Sequence, residues 1–92
     1  MFTSWGFETP RRFRVSELEE ILSALGDSET YGVVLRAKGM VPSADSDAWL
    51  HFDMVPEEQE IREGSPEVTG RICVIGADIR TDRLSELFGK KD

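Results

Sequence analysis

The run from Tyr31 to Val41, YGVVLRAKGMV, restricts the fold more than any other stretch of the chain. It reads as a strand, β-rich from Tyr31 to Leu35, with a polar interruption at Arg36-Ala37-Lys38-Gly39. Pro42 stops it, because proline donates no backbone hydrogen bond. Side chains alternate along a strand. Tyr31, Val33, Leu35, Ala37 and Val41 are therefore expected on one side, and Val34, Arg36, Lys38 and Met40 on the other. A strand that is apolar on one side and cationic on the other calls for helices on one face of its sheet.

The chain supplies those helices. Leu18, Ile21, Leu22 and Leu25 recur at i, i+3, i+4 and i+7, which predicts an amphipathic helix over Ser16 to Leu25. Ser16 and Glu19 are spaced as a capping box, Glu17, Glu19 and Glu20 suit the positive end of the helix dipole, and Gly26 is placed as the left-handed residue after it. A second, shorter helix is expected after Thr81 or Asp82, with Leu84, Leu87 and Phe88 facing the sheet and Gly89 ending it. Lys90-Lys91-Asp92 reads as a solvated tail.

The remaining segments read as strands. Residues 2–8, FTSWGFE, place Thr3, Trp5 and Phe7 on one side, and Thr9-Pro10 ends the segment. Ala48 to Met54 follows the polar turn Ser43–Asp47, with Leu50, Phe52 and Met54 on one face and Trp49, His51 and Asp53 on the other. This predicts an antiparallel hairpin with the Tyr31–Val41 strand. Gln59 to Glu63 reads as a short edge strand whose charges discourage further pairing. Arg71 to Ile79, apolar without alternation at Ile72–Ile75, reads as a central strand covered on both faces. The expected fold is thus α+β, a two-layer sandwich in the order β-α-β-β-(β)-β-α. Its four- to five-stranded, mostly antiparallel sheet carries both helices on one face. A helix between strands one and two leaves open a parallel pairing of those two, and with it a mixed sheet.

Length and charge narrow the function. Ninety-two residues fit one domain, residues 1–92, burying roughly 60–65% of its unfolded surface. A net charge of −7 disfavours nucleic acid or an anionic membrane surface as partner. There is no phosphate-binding Gly-x-x-x-x-Gly-Lys loop and no charged, apolar secretory leader. The single cysteine, Cys73, fits a cytoplasmic setting; inside an apolar strand it reads as structural rather than nucleophilic. Arg11, Arg12 and Arg14 around Phe13 suit an anion site or a solvated loop, and the acidic whole favours the loop. His51 and Asp53, with Asp45 and Asp47 before them, have the donor types of a divalent-metal site, but one histidine is thin for it, and no metal residue is assigned. No catalytic or cofactor-binding residue is assigned either. The candidate site is the open sheet face, with Val34, Arg36, Lys38, Trp49 and His51 as an interaction surface. Trp49 covered by a loop is the structural alternative.

The ordered marks resemble one family. Ser4-Trp5-Gly6-Phe7, then Pro10 and Phe13 before the helix around Leu18 and Leu22, are followed by Arg36-Ala37-Lys38-Gly39 at a strand end. Trp49 and Phe52, Gly70-Arg71 leading into Val74-Ile75-Gly76, and Asp78-Ile79 with Leu84 complete the set. Together they resemble the C-terminal domain of CobW-type GTPases, a family of metallochaperones and cobalamin-synthesis proteins. The resemblance implies a non-catalytic accessory domain contributing to client recognition or regulation in GTP-dependent delivery of zinc or cobalt. GTP, Mg and a transition metal are implied only for a GTPase domain that this chain lacks. The implied partners are that GTPase domain and a metalloprotein client. The alternative is a free-standing module that self-associates through the open face.

Overall fold

The computed structural model describes residues 1–89; the tail expected at Lys90–Asp92 lies outside them. The elements are β1 (Phe2–Thr9), α1 (Val15–Ala24), the single turn α2 (Ser28–Tyr31), β2 (Val33–Pro42), β3 (Trp49–Val55), β4 (Glu58–Gly64), β5 (Gly70–Ala77) and α3 (Thr81–Phe88). The strands form one five-stranded sheet in the order β1-β5-β2-β3-β4, and every neighbouring pair is antiparallel. The parallel pairing left open for the first two strands is not made, because β5 is inserted between them. β1 and β2 still run in the same direction, each antiparallel to β5.

One face of this sheet is the core. Leu18, Ile21 and Leu22 of α1, together with Leu25 just past its end, pack with Leu84 and Phe88 of α3 against Val34, Ala37, Val41, Leu50, Phe52, Met54, Ile72 and Val74. Phe88 lies between Trp5 and Phe52, with ring centroids 6.0 and 6.5 Å away. It joins the β1 side of the sheet to the β3 side. Gln59 ties β4 to α1, donating from its amide nitrogen to the Glu19 carbonyl at 3.3 Å. In the connection before α1, Phe13 is fully buried and its amide donates to the Pro42 carbonyl at 2.9 Å.

Several local expectations change. Tyr31 belongs to α2, and the strand begins after Gly32, whose φ of 88° only glycine adopts without strain. The Ser16–Glu19 capping box does not form. The first turn of α1 is capped from outside, by Asp45 accepting from the Val15 amide at 3.1 Å. Gly26 does not take a left-handed φ. Thr81 and Asp82 lie inside α3, and Arg80, which stands before it, makes no side-chain cap. β5 is central but covered on one face only: Ile72 and Val74 are buried while Arg71 and Ile75 are exposed. The apolar run hid an alternation, because the outward positions Cys73 and Ile75 are apolar too.

The largest change lies in β2. Its register with β5 shifts between Val34, opposite Gly76, and Arg36, opposite Ile75. Leu35 is the extra residue of a β-bulge, which breaks the two-residue alternation. Before the bulge the even residue Val34 faces the core, and after it the odd residues Ala37 and Val41 do. Val33 and Leu35, expected inside, are 49% and 37% exposed.

Candidate functional site

Since α1 and α3 cover one face of the sheet, the other carries the functional candidates. Its layout follows from register, because directly paired residues point to the same side. Glu8, Arg71, Met40, His51 and Arg62 form one row across the five strands, and Gly6, Cys73, Lys38, Asp53 and Glu60 the next. Beyond them lie Ser4, Ile75 and Arg36, then Phe2, Ala77 and Val33. Trp49 stands at the opposite end, between Pro42 and Gly64.

Four of the five sequence-predicted residues share this face: Arg36, Lys38, Trp49 and His51. Val34 does not. It is 5% exposed and part of the core, because the bulge turns it inward. Cys73 is half-buried on the open side opposite Lys38, not enclosed in the core as its apolar neighbours suggested.

Arg36 is committed to a partner. Its Nε and Nη2 donate to the two carboxylate oxygens of Asp53 at 3.1 and 2.9 Å, a bidentate fork across β2 and β3. The hydrogen bonds from Arg36 hold the Asp53 carboxyl below the usual carboxylate range. Partial burial opposes this, and the charges of Arg36, Lys38 and Arg62 reinforce it. The same pair raises the pKa of Arg36. Asp53 thus sits inside a ring of cations, while Lys38 enters no ion pair among the described residues. His51 is anchored by the Ser65 carbonyl, 2.9 Å from Nε2, and its ring occupies the space above Gly64, where a Cβ would lie 2.6 Å from it.

The Arg36-Ala37-Lys38-Gly39 tetrapeptide has a physical reason. Arg36 and Lys38 serve the open face, while Ala37 and Gly39 keep the core face low. A Cβ on Gly39 would meet the Arg71 carbonyl oxygen at 2.2 Å and the Phe52 ring at 2.9 Å. Only glycine lets β5 and Phe52 approach this closely.

The remaining polar candidates are occupied by structure. Arg11 pairs with Glu17, donates to the Phe88 carbonyl and lies over the Phe13 ring; Arg12 donates to the Ser43 carbonyl at 2.9 Å. Arg14 lies 3.8 Å from Asp45. These arginines form neither an anion site nor a free loop: they tie the β1–α1 connection to α3 and to the loop after β2. Asp45 caps α1 and Asp53 holds Arg36, and no three His, Cys, Asp or Glu side chains cluster to hold a metal among the described residues. No helix of the described residues is long and apolar enough to cross a membrane.

The open face also carries residues that the sequence reading missed. Phe2, Val33, Leu35, Val55 and Ile75 are all exposed. Phe2, Val33, Leu35 and Ile75 gather at the end of the face where β1 begins and β5 ends, and Val55 lies at the same end on β3, across Arg36. Alternation gave no access to them, since Val33-Val34-Leu35 is apolar at every position and reads equally well in either phase.

Comparison with known proteins agrees with this architecture. The family model for the cobalamin synthesis protein cobW C-terminal domain matches residues 2–91. Among solved structures, Zn(II)-bound YjiA GTPase from E. coli superposes with a TM-score of 0.80 at 20% identity, over 99% of this chain and 30% of that one. A Zn(II)-bound triple mutant of YjiA GTPase gives 0.77 at 20% identity, over 96% of this chain and 29% of that one. No curated protein matches. The chain therefore spans about 30% of the length of the YjiA structure it resembles, and it belongs to the family of the cobalamin synthesis protein cobW C-terminal domain.

Proposed function

We propose that residues 1–92 form one accessory domain of a larger CobW-type GTPase, acting in the cytoplasm in GTP-dependent delivery of a zinc- or cobalt-class metal to a metalloprotein client. The observation that carries this reading is the family match along nearly the whole chain, residues 2–91. The likeness to a Zn(II)-bound GTPase supports the metal class. GTP, Mg and the transported metal belong, in this reading, to the GTPase domain. The accessory domain contributes recognition or regulation through the open face.

Within that face, Lys38, Trp49 and His51 with the Arg36–Asp53 fork form the polar part suited to a client. Lys38 is a cation without an ion-pair partner among the described residues, and half-exposed Trp49 stands two rows away on the same face, beyond Met40 and His51. Aromatic residues are enriched among the anchors of protein interfaces. The test is rescue of a strain that lacks the full-length protein, grown under zinc or cobalt limitation. The wild-type protein restores growth, and the Lys38→Glu, Trp49→Ala variant, expressed at the same level, does not. Full rescue by that variant contradicts the assignment of this surface to a client.

A further inference from the structure

The open face is not uniform. Toward Trp49 and His51 its rows carry Glu8, Arg71, Arg62, Lys38, Asp53 and Glu60. Toward the start of β1 they carry Phe2, Val33, Leu35, Val55 and Ile75, with exposures of 69, 49, 37, 38 and 38%. Phe2, Ala77 and Val33 are consecutive partners across β1, β5 and β2, and Ile75 lies in the adjoining row beside the bulge. Strands are spaced about 4.8 Å apart, so Phe2, Val33, Leu35 and Ile75 form one apolar corner, with Val55 beyond Arg36 on β3. Its exposure has a specific origin, because without the bulge Val33 and Leu35 would lie in the core. A small domain gains nothing for its own stability by displaying this many large apolar side chains together, and such corners mark contact surfaces.

We infer that this corner is the seat of the GTPase domain that precedes β1 in the same polypeptide. The inference rests on the reading of the chain as the C-terminal part of a CobW-type GTPase. The family takes its place after the rest of the protein, and the chain spans 30% of the YjiA structure, so most of such a protein lies upstream. The tether from that upstream part arrives at β1, and Phe2, the first residue of β1, is itself the most exposed member of the corner. A tethered neighbour meets an adjoining patch at an effective concentration that no free partner matches. A second copy is disfavoured, since each copy carries a net charge of −7. Apolar contact in cis at this corner leaves the polar part of the face open for a client.

Hydroxyl-radical footprinting of the full-length GTPase, read by mass spectrometry, tests the inference. Phe2, Leu35 and Ile75 are expected to react several-fold more slowly than their exposure in this domain dictates, with fully exposed Val68 as the internal reference. The Val33→Glu, Leu35→Glu variant should release that protection at Phe2 and Ile75. Ile75→Glu, on the neighbouring strand, should release it at Phe2 and Leu35, while Val68→Glu changes nothing. Unchanged far-UV circular dichroism shows that the variants fold. Free reaction of the corner in the wild-type protein overturns the inference, as does protection that survives both charged variants. Protection lost on dilution also overturns it and assigns the corner to a second copy. If the full-length protein fails to hydrolyse GTP, the accessory-domain reading falls instead, and that failure is read independently of the footprint.

Discussion

The two faces of this sheet are made from the same five strands and obey different rules. On the core face each position is decided by packing: Phe88 bridges Trp5 and Phe52, and Gly39 is bare so that Phe52 and the Arg71 carbonyl can come close. On the open face packing decides little, and charge and exposure decide the rest. There Asp53 is held by Arg36, Lys38 and Arg62, and a corner of large apolar residues stays in water. The core face shows how the domain holds together. The open face carries the residues proposed for contact with the rest of the protein and with a client.

Substitutions can break or sharpen this contrast. The largest loss is expected from Phe88→Ala, which removes a fully buried ring between the two halves of the sheet. A cost of about 3–5 kcal/mol is the usual range for such a truncation. That approaches the whole stability of a domain this size, so urea denaturation should find the variant largely unfolded. Gly39→Ala should cost less, about 1–3 kcal/mol, because the added Cβ forces β5 and Phe52 apart. On the open face the effects shrink. Asp53 and Asp27 are both held below the ordinary carboxylate range, Asp53 chiefly by the Arg36 hydrogen bonds and Asp27 chiefly by the Thr30 hydroxyl. A depressed folded pKa contributes stability above the unfolded value, about pH 4, which is lost as pH falls through the folded value. Melting followed by circular dichroism should show that decline, and Asp53→Asn should make it shallower. The smallest effect is a gain. Glu57 holds a left-handed φ of 69° in the Pro56-Glu57 turn. Glu57→Gly should therefore raise stability by about 0.5–1 kcal/mol in the same assay.

Much of this was legible beforehand. The helix stripes, the antiparallel hairpin, the charged edge strand and the two-layer plan follow from periodicity and turn residues. So does the shared face of Arg36, Lys38, Trp49 and His51, because β3 and the second half of β2 alternate cleanly. What escaped did so for identifiable reasons. Val33-Val34-Leu35 is apolar in both phases, so no pattern announces the bulge, and with it Val34 was misplaced and the apolar corner missed. Asp45 caps α1 from 30 residues away, a contact that local capping signals cannot anticipate. Arg11 and Arg12 looked free because their acceptors, the Phe88 and Ser43 carbonyls, are brought to them only by the fold.

The account turns on the bulge, since it decides which residues of β2 meet the helices and which stay exposed. Comparing Val34→Asp with Leu35→Asp in this chain tests it most directly. Val34 is 5% exposed, so its aspartate would be an unpaired buried charge and the variant should lose its cooperative unfolding transition. Leu35 is 37% exposed, and its aspartate should shift the midpoint by no more than about 0.5 kcal/mol. The reverse outcome, a tolerated Val34→Asp and an unfolded Leu35→Asp, would return β2 to unbroken alternation and remove the apolar corner with it.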